Sequence, residues 1–142
     1  MGVLDESGME PVQNRIEKLP FMDWRQLPAV IAGLDINLMP LENSLFHWCK
    51  SENKWTEAAL VKVPSVMSRN CEMEYVVENG KDGWMCTTKE EWVNALEALV
   101  TDEKARKAMG EAAHQKVMEH YLTVNTGKDV MEELLCSESY TK

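Results

Sequence analysis

Short apolar runs alternate with amphipathic segments along most of this chain, and this order constrains its fold more than any other feature. The runs at residues 35–40, 63–68 and 83–86 have the length and composition of buried strands. Segments with helical spacing separate them. Parallel strands joined by crossover helices produce such an order. The sequence therefore predicts an α/β fold, with a parallel sheet and flanking helices.

The remaining elements are predicted from shorter signals. Residues 15–21 are interpreted as a further strand, because apolar side chains recur in this segment. Asp23 is an N-cap candidate, and Thr88 with Glu91 has the spacing of a capping box. Helices are predicted over residues 24–33, 51–62, 72–78, 89–100, 102–121 and 126–135.

Two lysines mark the start of the second of these six helices, the helix predicted over residues 51–62. Ser51 is its N-cap candidate, which places Lys54 in the first turn. A cation is unfavourable there, because the helix dipole favours negative charge at that end. Lys50, Lys54 and Glu57 are spaced i, i+4, i+7 and lie along one face. The pattern indicates a phosphate bound over the free backbone N–H groups. Two cations and a carboxylate on one edge suit a diphosphate beside a diol.

The predicted topology places this helix start where ligands usually bind. In open parallel sheets, ligands lie beyond the carboxyl ends of the strands. The loops at residues 21–23, 41–50 and 69–72 are expected to converge at that edge, together with the lysine-bearing helix start.

Composition narrows the classes of function. The chain has 142 residues, enough for one domain with a substantial core. Its net charge of −9 and pI near 4.8 argue against binding to nucleic acid in general or to anionic membranes, which requires a basic face. The four cysteines form no CxxC pair, and no secretory signal is visible. We therefore expect reduced thiols and a cytoplasmic protein.

An ordered series of short motifs resembles the retaining glycosyltransferases of family four, also called glycosyl transferases group 1. The resemblance covers residues 15 to 122. It rests on Leu19-Pro20-Phe21, Asp35-Ile36-Asn37, Lys50-Ser51 with Lys54 and Glu57, Val63-Pro64, Gly83-Trp84 and Met109-Gly110.

The resemblance implies the GT-B architecture, in which two Rossmann-like domains enclose the active site. The matching segment corresponds to the C-terminal domain, which holds the nucleotide-sugar donor. Residues 15–136 are expected to form a partial donor-binding domain that lacks its first strands. Residues 1–14 would be an arm or truncated connection, and residues 137–142 a tail. The N-terminal acceptor domain is expected to be missing from this chain.

The resemblance also assigns roles to individual residues. Glu57 matches the second of two paired glutamates and would accept hydrogen bonds from the ribose hydroxyls. The first glutamate falls at Cys49, which is a departure from the family pattern. Lys50, Ser51 and Lys54 would hold the diphosphate. Asn43 and Phe46 would lie near the sugar. Phe21 and Met22 would lie near the base.

The implied reaction is glycosyl transfer from a nucleoside diphosphate sugar to an acceptor hydroxyl with retention. The resemblance implies no cofactor and no metal, since the lysines would stabilise the leaving diphosphate. The isolated chain is expected to be inactive. A peripheral membrane acceptor is compatible with the full enzyme, and the exposed edge of an incomplete sheet predicts a homodimer.

Three simpler interpretations remain open. The lysines can be solvated charges on an exposed helix, and Glu57 can pair with one of them. The chain can be a non-catalytic interaction module, either flavodoxin-like or glycosyltransferase-like, that binds a partner. A receiver of the flavodoxin type fits poorly, because Asp35 opens its strand and the strand ends read Pro40 and Ser68.

Overall fold

The centre of the molecule is a sheet of three parallel strands. A computed structural model describes residues 9–42 and 44–137. The strands are Asn37–Met39 (β1), Ser65–Ser68 (β2) and Trp84–Cys86 (β3), and β2 lies in the middle. Asn37 lies opposite Ser65, and Val66 lies opposite Trp84. The predicted α/β fold with a parallel sheet is therefore confirmed.

Helices connect and flank these strands. In chain order they are Leu27–Ala32 (α1), Leu45–Trp48 (α2), Asn53–Leu60 (α3), Cys71–Val76 (α4), Lys89–Thr101 (α5), Glu103–His120 (α6) and Thr123–Ser137 (α7). The Asp23 side chain accepts a hydrogen bond from the backbone N–H of Arg25 and caps a short 3₁₀ helix that leads into α1. Thr88 and Glu91 form the predicted capping box at the start of α5.

The strand predicted at residues 15–21 is wrong. A 3₁₀ helix, Glu10–Arg15, overlaps the first residue of this segment, and residues 16–21 have no regular structure. Leu19 is 42% exposed and Phe21 is 89% exposed. A strand requires a hydrogen-bonding neighbour, and among the described residues β1 pairs only with β2. The recurrence of apolar side chains was therefore not sufficient to predict a strand in this segment.

The predicted N-cap at Ser51 is also wrong. The residue that precedes α3 is Glu52, whose φ of −74° and ψ of 2° differ from the extended backbone of a capping residue. No side chain caps this helix. A turn at Glu52 delays the helix start to Asn53, so Ser51 lies exposed in the connection before it.

Alternating residues of the central strand enter two apolar clusters, one for each face of the sheet. Met67 belongs to a cluster with Trp55, which is fully buried on α3. Val66 belongs to the other cluster, with Leu99 of α5. Helix α6 contributes to both clusters and packs closely on α3. The sheet thus presents one buried layer of helices on each side, and its strand ends remain available for a site.

Candidate functional site

The start of α3 carries the predicted charged residues. The chain leaves β1, forms α2 and enters α3 with Lys54 as its second residue. The Asn37 side-chain amide of β1 donates to the Lys54 carbonyl at 3.4 Å and to Ser65 Oγ at 3.0 Å. This amide joins the first turn of α3 to two strands. The position of the helix start is therefore fixed by the sheet.

The backbone at this helix start offers hydrogen-bond donors. The first helical bond runs from the Thr56 N–H to the Glu52 carbonyl at 3.0 Å. The N–H groups of the three preceding residues have no acceptor within the helix. The side chain of Glu52, which precedes the helix, makes no capping hydrogen bond to them. An anion is the natural partner for such an end.

The structure brings Lys50 against Phe46. The Lys50 Nζ lies 4.5 Å from the centre of the Phe46 ring, at the distance of a cation–π contact. The ring itself is 70% exposed and meets His47 edge-on. A predicted diphosphate residue and a predicted sugar residue therefore lie side by side.

Lys54 and Glu57 are both exposed on α3. Within residues 9–42 and 44–137, no ion pair joins Glu57 to Lys50 or Lys54. The simple interpretation that Glu57 neutralises a lysine does not describe this structure. Both residues are exposed to solvent on α3, whereas Lys50, predicted on the same helix face, lies before the helix begins.

A mostly apolar cavity of about 420 Å³ surrounds the residues predicted for the base. Phe21 and Met22 line it together with Asp23, Trp24 and Leu27. Trp24 is 72% exposed, and the Arg25 guanidinium lies 4.9 Å above its ring. The cavity adjoins α1, which packs against α3. Trp24, which no sequence motif assigned to the site, is part of this cavity.

A second cavity of about 360 Å³ opens at the carboxyl ends of the strands. Leu41 follows β1 and exchanges hydrogen bonds with Ser68 of β2, its N–H donating at 2.8 Å and its carbonyl accepting at 3.2 Å. His47 lines the cavity and shares a hydrogen bond with Ser44 Oγ. Asn70 also lines it, caps α4 through Oδ1, and keeps an Nδ2 without a partner among the described residues. Asn70 belongs to the loop at residues 69–72 that was expected at this edge, but no motif singled it out.

One predicted site residue cannot be located in the structure. Asn43, predicted near the sugar, lies outside the described residues. Among the residues that the structure does describe, no three His, Cys, Asp or Glu side chains are grouped to hold a metal ion. No helix in the same part of the chain is long and apolar enough to cross a membrane.

Comparison with known proteins identifies the family. The family model described as glycosyl transferases group 1 matches residues 4–102, which is more than half of the chain. The chain belongs to the glycosyl transferases group 1 family. No curated protein matches it. The family resemblance predicted from the ordered motifs is confirmed.

Two solved structures share the fold of this chain. One is the C-terminal domain of the glycosyl transferase group 1 family protein LpcC from Francisella tularensis, with 18% identity and a TM-score of 0.56. The other is Anabaena Alr3699/HepE in complex with UDP and glucose, with 18% identity and a TM-score of 0.72. The aligned parts cover 74% and 89% of this chain, respectively.

The chain spans about half of the LpcC domain chain, at 53%, and about a third of HepE, at 33%. The similarity confirms the Rossmann-like α/β fold of a GT-B C-terminal domain. The roles of Lys50, Ser51, Lys54 and Glu57 in donor binding stay predictions.

Proposed function

We propose that this chain is the donor-binding part of a glycosyltransferase, which moves a sugar from a nucleoside diphosphate sugar to an acceptor hydroxyl with retention. The observation that carries this proposal is the uncapped start of α3 beside Lys50 and Lys54 in a member of this family. In this proposal the N–H groups of the first turn and the ammonium groups of Lys50 and Lys54 would bind the diphosphate.

The leaving diphosphate gains negative charge as its bond to the sugar breaks. Lys50, Lys54 and the N–H groups of the first turn would stabilise that charge where it develops. The exposed Glu57 carboxylate would accept hydrogen bonds from the ribose hydroxyls, and Phe21 and Met22 would border the base in the apolar cavity. Ser51, exposed just before the helix, would contact the diphosphate, and Asn43 and Phe46 would lie near the sugar.

In this proposal, the positive charge for diphosphate departure comes from the protein and not from a metal ion. We therefore expect nucleotide affinity to be equal in the presence of EDTA and of magnesium. Acceptor recognition is assigned to residues outside this chain, because the aligned part covers only 33% of HepE. The chain alone is then expected to bind donor without transferring its sugar.

A second candidate function is a glycosyltransferase-like module that binds a protein partner. Two observations favour it: Cys49 stands where the family resemblance expects a glutamate, and large apolar side chains near the site are exposed. Phe21, Leu45 and Phe46 are 89%, 83% and 70% exposed. Such side chains are usual at protein contacts as well as at ligand sites.

An NMR titration of the labelled chain with UDP, GDP, ADP and dTDP separates the two functions. The donor-binding proposal predicts shifts at residues 21–24 and 50–57 with at least one nucleotide, which also identifies the base. The absence of shifts with all four nucleotides would contradict donor binding and favour the partner module.

A further inference from the structure

The cavity of about 360 Å³ at the carboxyl ends of the strands is lined by none of the residues proposed for the diphosphate, the ribose or the base. Its volume falls in the range of small-molecule sites, about 300–1,000 Å³. Each strand supplies part of the wall through the chain that follows it. His47 comes after β1, Asn70 after β2 and Thr87 after β3. The cavity is therefore a separate feature of the fold that the proposed function does not use.

Hydrogen bonds hold the walls of this cavity together. Leu41 and Ser68 exchange two of them, which join the connection after β1 to the end of β2. The Arg69 N–H donates to the Cys86 carbonyl at 3.0 Å and joins the connection after β2 to the end of β3. The cavity is thus built by the fold itself, as ligand pockets usually are.

One buried amide in this wall lacks a hydrogen-bond partner. Asn70 is 3% exposed, and its Oδ1 accepts from the Met73 N–H at 2.8 Å. That bond fixes which end of the amide carries the donor. The donor, Nδ2, has no partner among the described residues. Because buried polar groups in proteins are nearly always hydrogen-bonded, a donor left over in a cavity wall indicates a ligand with an acceptor oxygen.

The other polar groups of the wall have unused hydrogen-bonding capacity and carry both signs of charge. The His47 Nδ1 shares a hydrogen bond with Ser44 Oγ at 2.8 Å, whereas its Nε2 has no partner in the described part of the chain. The Arg69 guanidinium pairs with Glu74 through one nitrogen, at 3.1 Å. Glu42 adds a carboxylate to the wall. A neutral ligand that both donates and accepts hydrogen bonds suits these groups.

Two indole rings complete the cavity. Trp48 of α2 and Trp92 of α5 both line it. Aromatic rings pack on the C–H face of a pyranose, and the hydroxyl groups of the sugar both donate and accept hydrogen bonds. A pyranose therefore matches the indoles, the amide and the mixed charges together. A phosphate fits less well, because the Glu42 carboxylate would repel it.

We propose that this cavity binds one neutral pyranose ring, and that the Asn70 Nδ2 donates a hydrogen bond to an oxygen of the sugar. The pyranose can be the sugar of a nucleotide sugar or part of a separate saccharide, since both present the same ring and hydroxyl groups. The inference does not require that the chain bind a nucleotide.

The side-chain NH₂ group of Asn70 reports this contact directly in heteronuclear NMR spectra. Its two proton signals are assigned by their absence from Asn70→Ser, in which the serine oxygen still caps α4. Titration with glucose, galactose, mannose and N-acetylglucosamine should shift these signals with at least one sugar. Glycerol at equal concentration should leave them unchanged. The absence of a shift with all four sugars and with nucleotide sugars would overturn the proposal.

Three variants separate sugar binding from effects on folding. Asn70→Ser should weaken sugar binding by about 5- to 10-fold, the loss expected for one hydrogen bond. Thr87→Val replaces a hydroxyl of the wall by a methyl group and should weaken binding by about 5-fold. The matched control is Thr101→Val at the other end of α5, where the hydroxyl donates to the Glu97 carbonyl at 2.6 Å. It should bind sugar as the wild type does.

Urea unfolding shows whether each variant keeps the stability of the wild type. Equal sugar affinity of the wild type, Asn70→Ser and Thr87→Val would overturn the proposal. So would equal weakening of Thr87→Val and Thr101→Val.

Nucleotide sugars identify the source of the pyranose. UDP-glucose and GDP-mannose are each compared with the nucleoside diphosphate alone. If the donor sugar occupies the cavity, a nucleotide sugar shifts the Asn70 NH₂ signals and its nucleoside diphosphate does not. If a separate saccharide occupies it, a free sugar shifts them even with nucleotide sugar present. Shifts at Asn70 with a nucleoside diphosphate, and with none of the free sugars, would contradict a pyranose site. Failure of nucleotides to shift residues 50–57 would contradict donor binding and leave the test with free sugars intact.

Discussion

The positions of two lysines explain why the start of α3 is suited to bind an anionic ligand. Lys54 occupies the first turn, where the helix dipole disfavours a cation, and the Glu52 side chain makes no capping hydrogen bond. Lys50 adds a second cation, which rests on Phe46. A diphosphate would satisfy both the donors and the cations, and the exposed Glu57 would lie one turn further along the same face.

Glu57 provides a prediction that separates ribose recognition from phosphate binding. Glu57→Ala should weaken binding of the preferred nucleoside diphosphate by about 10-fold or more, because a hydrogen bond to a charged group contributes about 1.5–3 kcal/mol. The 2′,3′-dideoxy analogue lacks the hydroxyls and should bind both proteins equally. Isothermal calorimetry on the two proteins with the two nucleotides measures this coupling. An equal loss of affinity for both nucleotides would show that Glu57 does not bind the ribose hydroxyls.

At the scale of elements, local signals predicted the helices well where a cap lies in the sequence. Thr88 with Glu91 caps α5 as predicted, because the motif is completed within a few residues, and Asp102 caps α6. The strand at residues 15–21 failed because strand formation requires a neighbour that the local sequence does not specify. The cap at Ser51 failed because a turn at Glu52 shifted the helix start.

The capping box of α5 gives a prediction for pH. Backbone N–H groups of Thr87 and then Thr88 bond the Glu91 carboxylate and lower its pKa below 4.5. Its contribution to stability is therefore complete above the unfolded-state pKa and is lost as pH falls through the lower folded-state pKa. Glu91→Gln should reduce the dependence of the unfolding free energy on pH below about 4.5, the ordinary value for this carboxyl.

Urea unfolding between neutral pH and pH 3 measures this dependence. Glu90→Gln, one residue earlier in the same turn, is the matched control and should keep the wild-type slope. If the unfolding free energy of Glu91→Gln varied with pH in parallel with that of the wild type, the capping carboxylate would not contribute to the pH dependence of stability.

At the scale of the whole molecule, one buried polar group joins the sheet, α3 and α6. Asp82 is 1% exposed, and its carboxylate accepts from the Glu78 N–H at 2.8 Å and pairs with Lys116 of α6. Its backbone carbonyl accepts from the buried Trp55 indole of α3 at 2.9 Å. Lys116 also donates to the Val76 carbonyl at 2.8 Å. This network fixes the turn before β3 against both helices.

Removal of the cation from this network should be costly. Lys116→Met leaves the Asp82 carboxylate buried without its partner, for which a loss of about 3 kcal/mol is expected. Lys107→Met removes an exposed pair with Glu103 on the same helix and should change stability by less than about 1 kcal/mol. Chemical denaturation compares the two variants. Equal and small losses would mean that Asp82 is stabilised by its N–H contact alone.

The edge of the sheet predicts self-association. Among the described residues β1 pairs only with β2, and Leu38 of β1 is 51% exposed. Unpaired strand edges template contacts with other chains, so a concentration-dependent dimer is expected by light scattering. Leu38→Lys should lower its association constant, whereas Val93→Lys, at an exposed position on α5, should not. A monomer at all accessible concentrations would contradict this prediction.

The sequence predicted much of the candidate site and missed the rest for physical reasons. Helical spacing and the ordered family motif predicted Lys54 and Glu57, which lie on α3, and Lys50, which lies before the helix begins. Trp24 and Asn70 were missed because their exposure and hydrogen bonding depend on packing between distant segments. Phe21 and Met22 reach a cavity even though the strand predicted around Phe21 is absent.

The central claim is that a diphosphate binds the start of α3, and calorimetry on two charge-matched variants tests it most directly. Lys54→Gln removes a cation at the start of this helix, and Lys62→Gln removes one just beyond its end, where Lys62 pairs with Glu111. With the nucleoside diphosphate that binds the wild type most tightly, we predict a loss of affinity of about 10- to 100-fold for Lys54→Gln, the range for a charged hydrogen bond. Lys62→Gln should bind as the wild type does. Equal affinity of all three proteins, or equal weakening of both variants, would contradict the account.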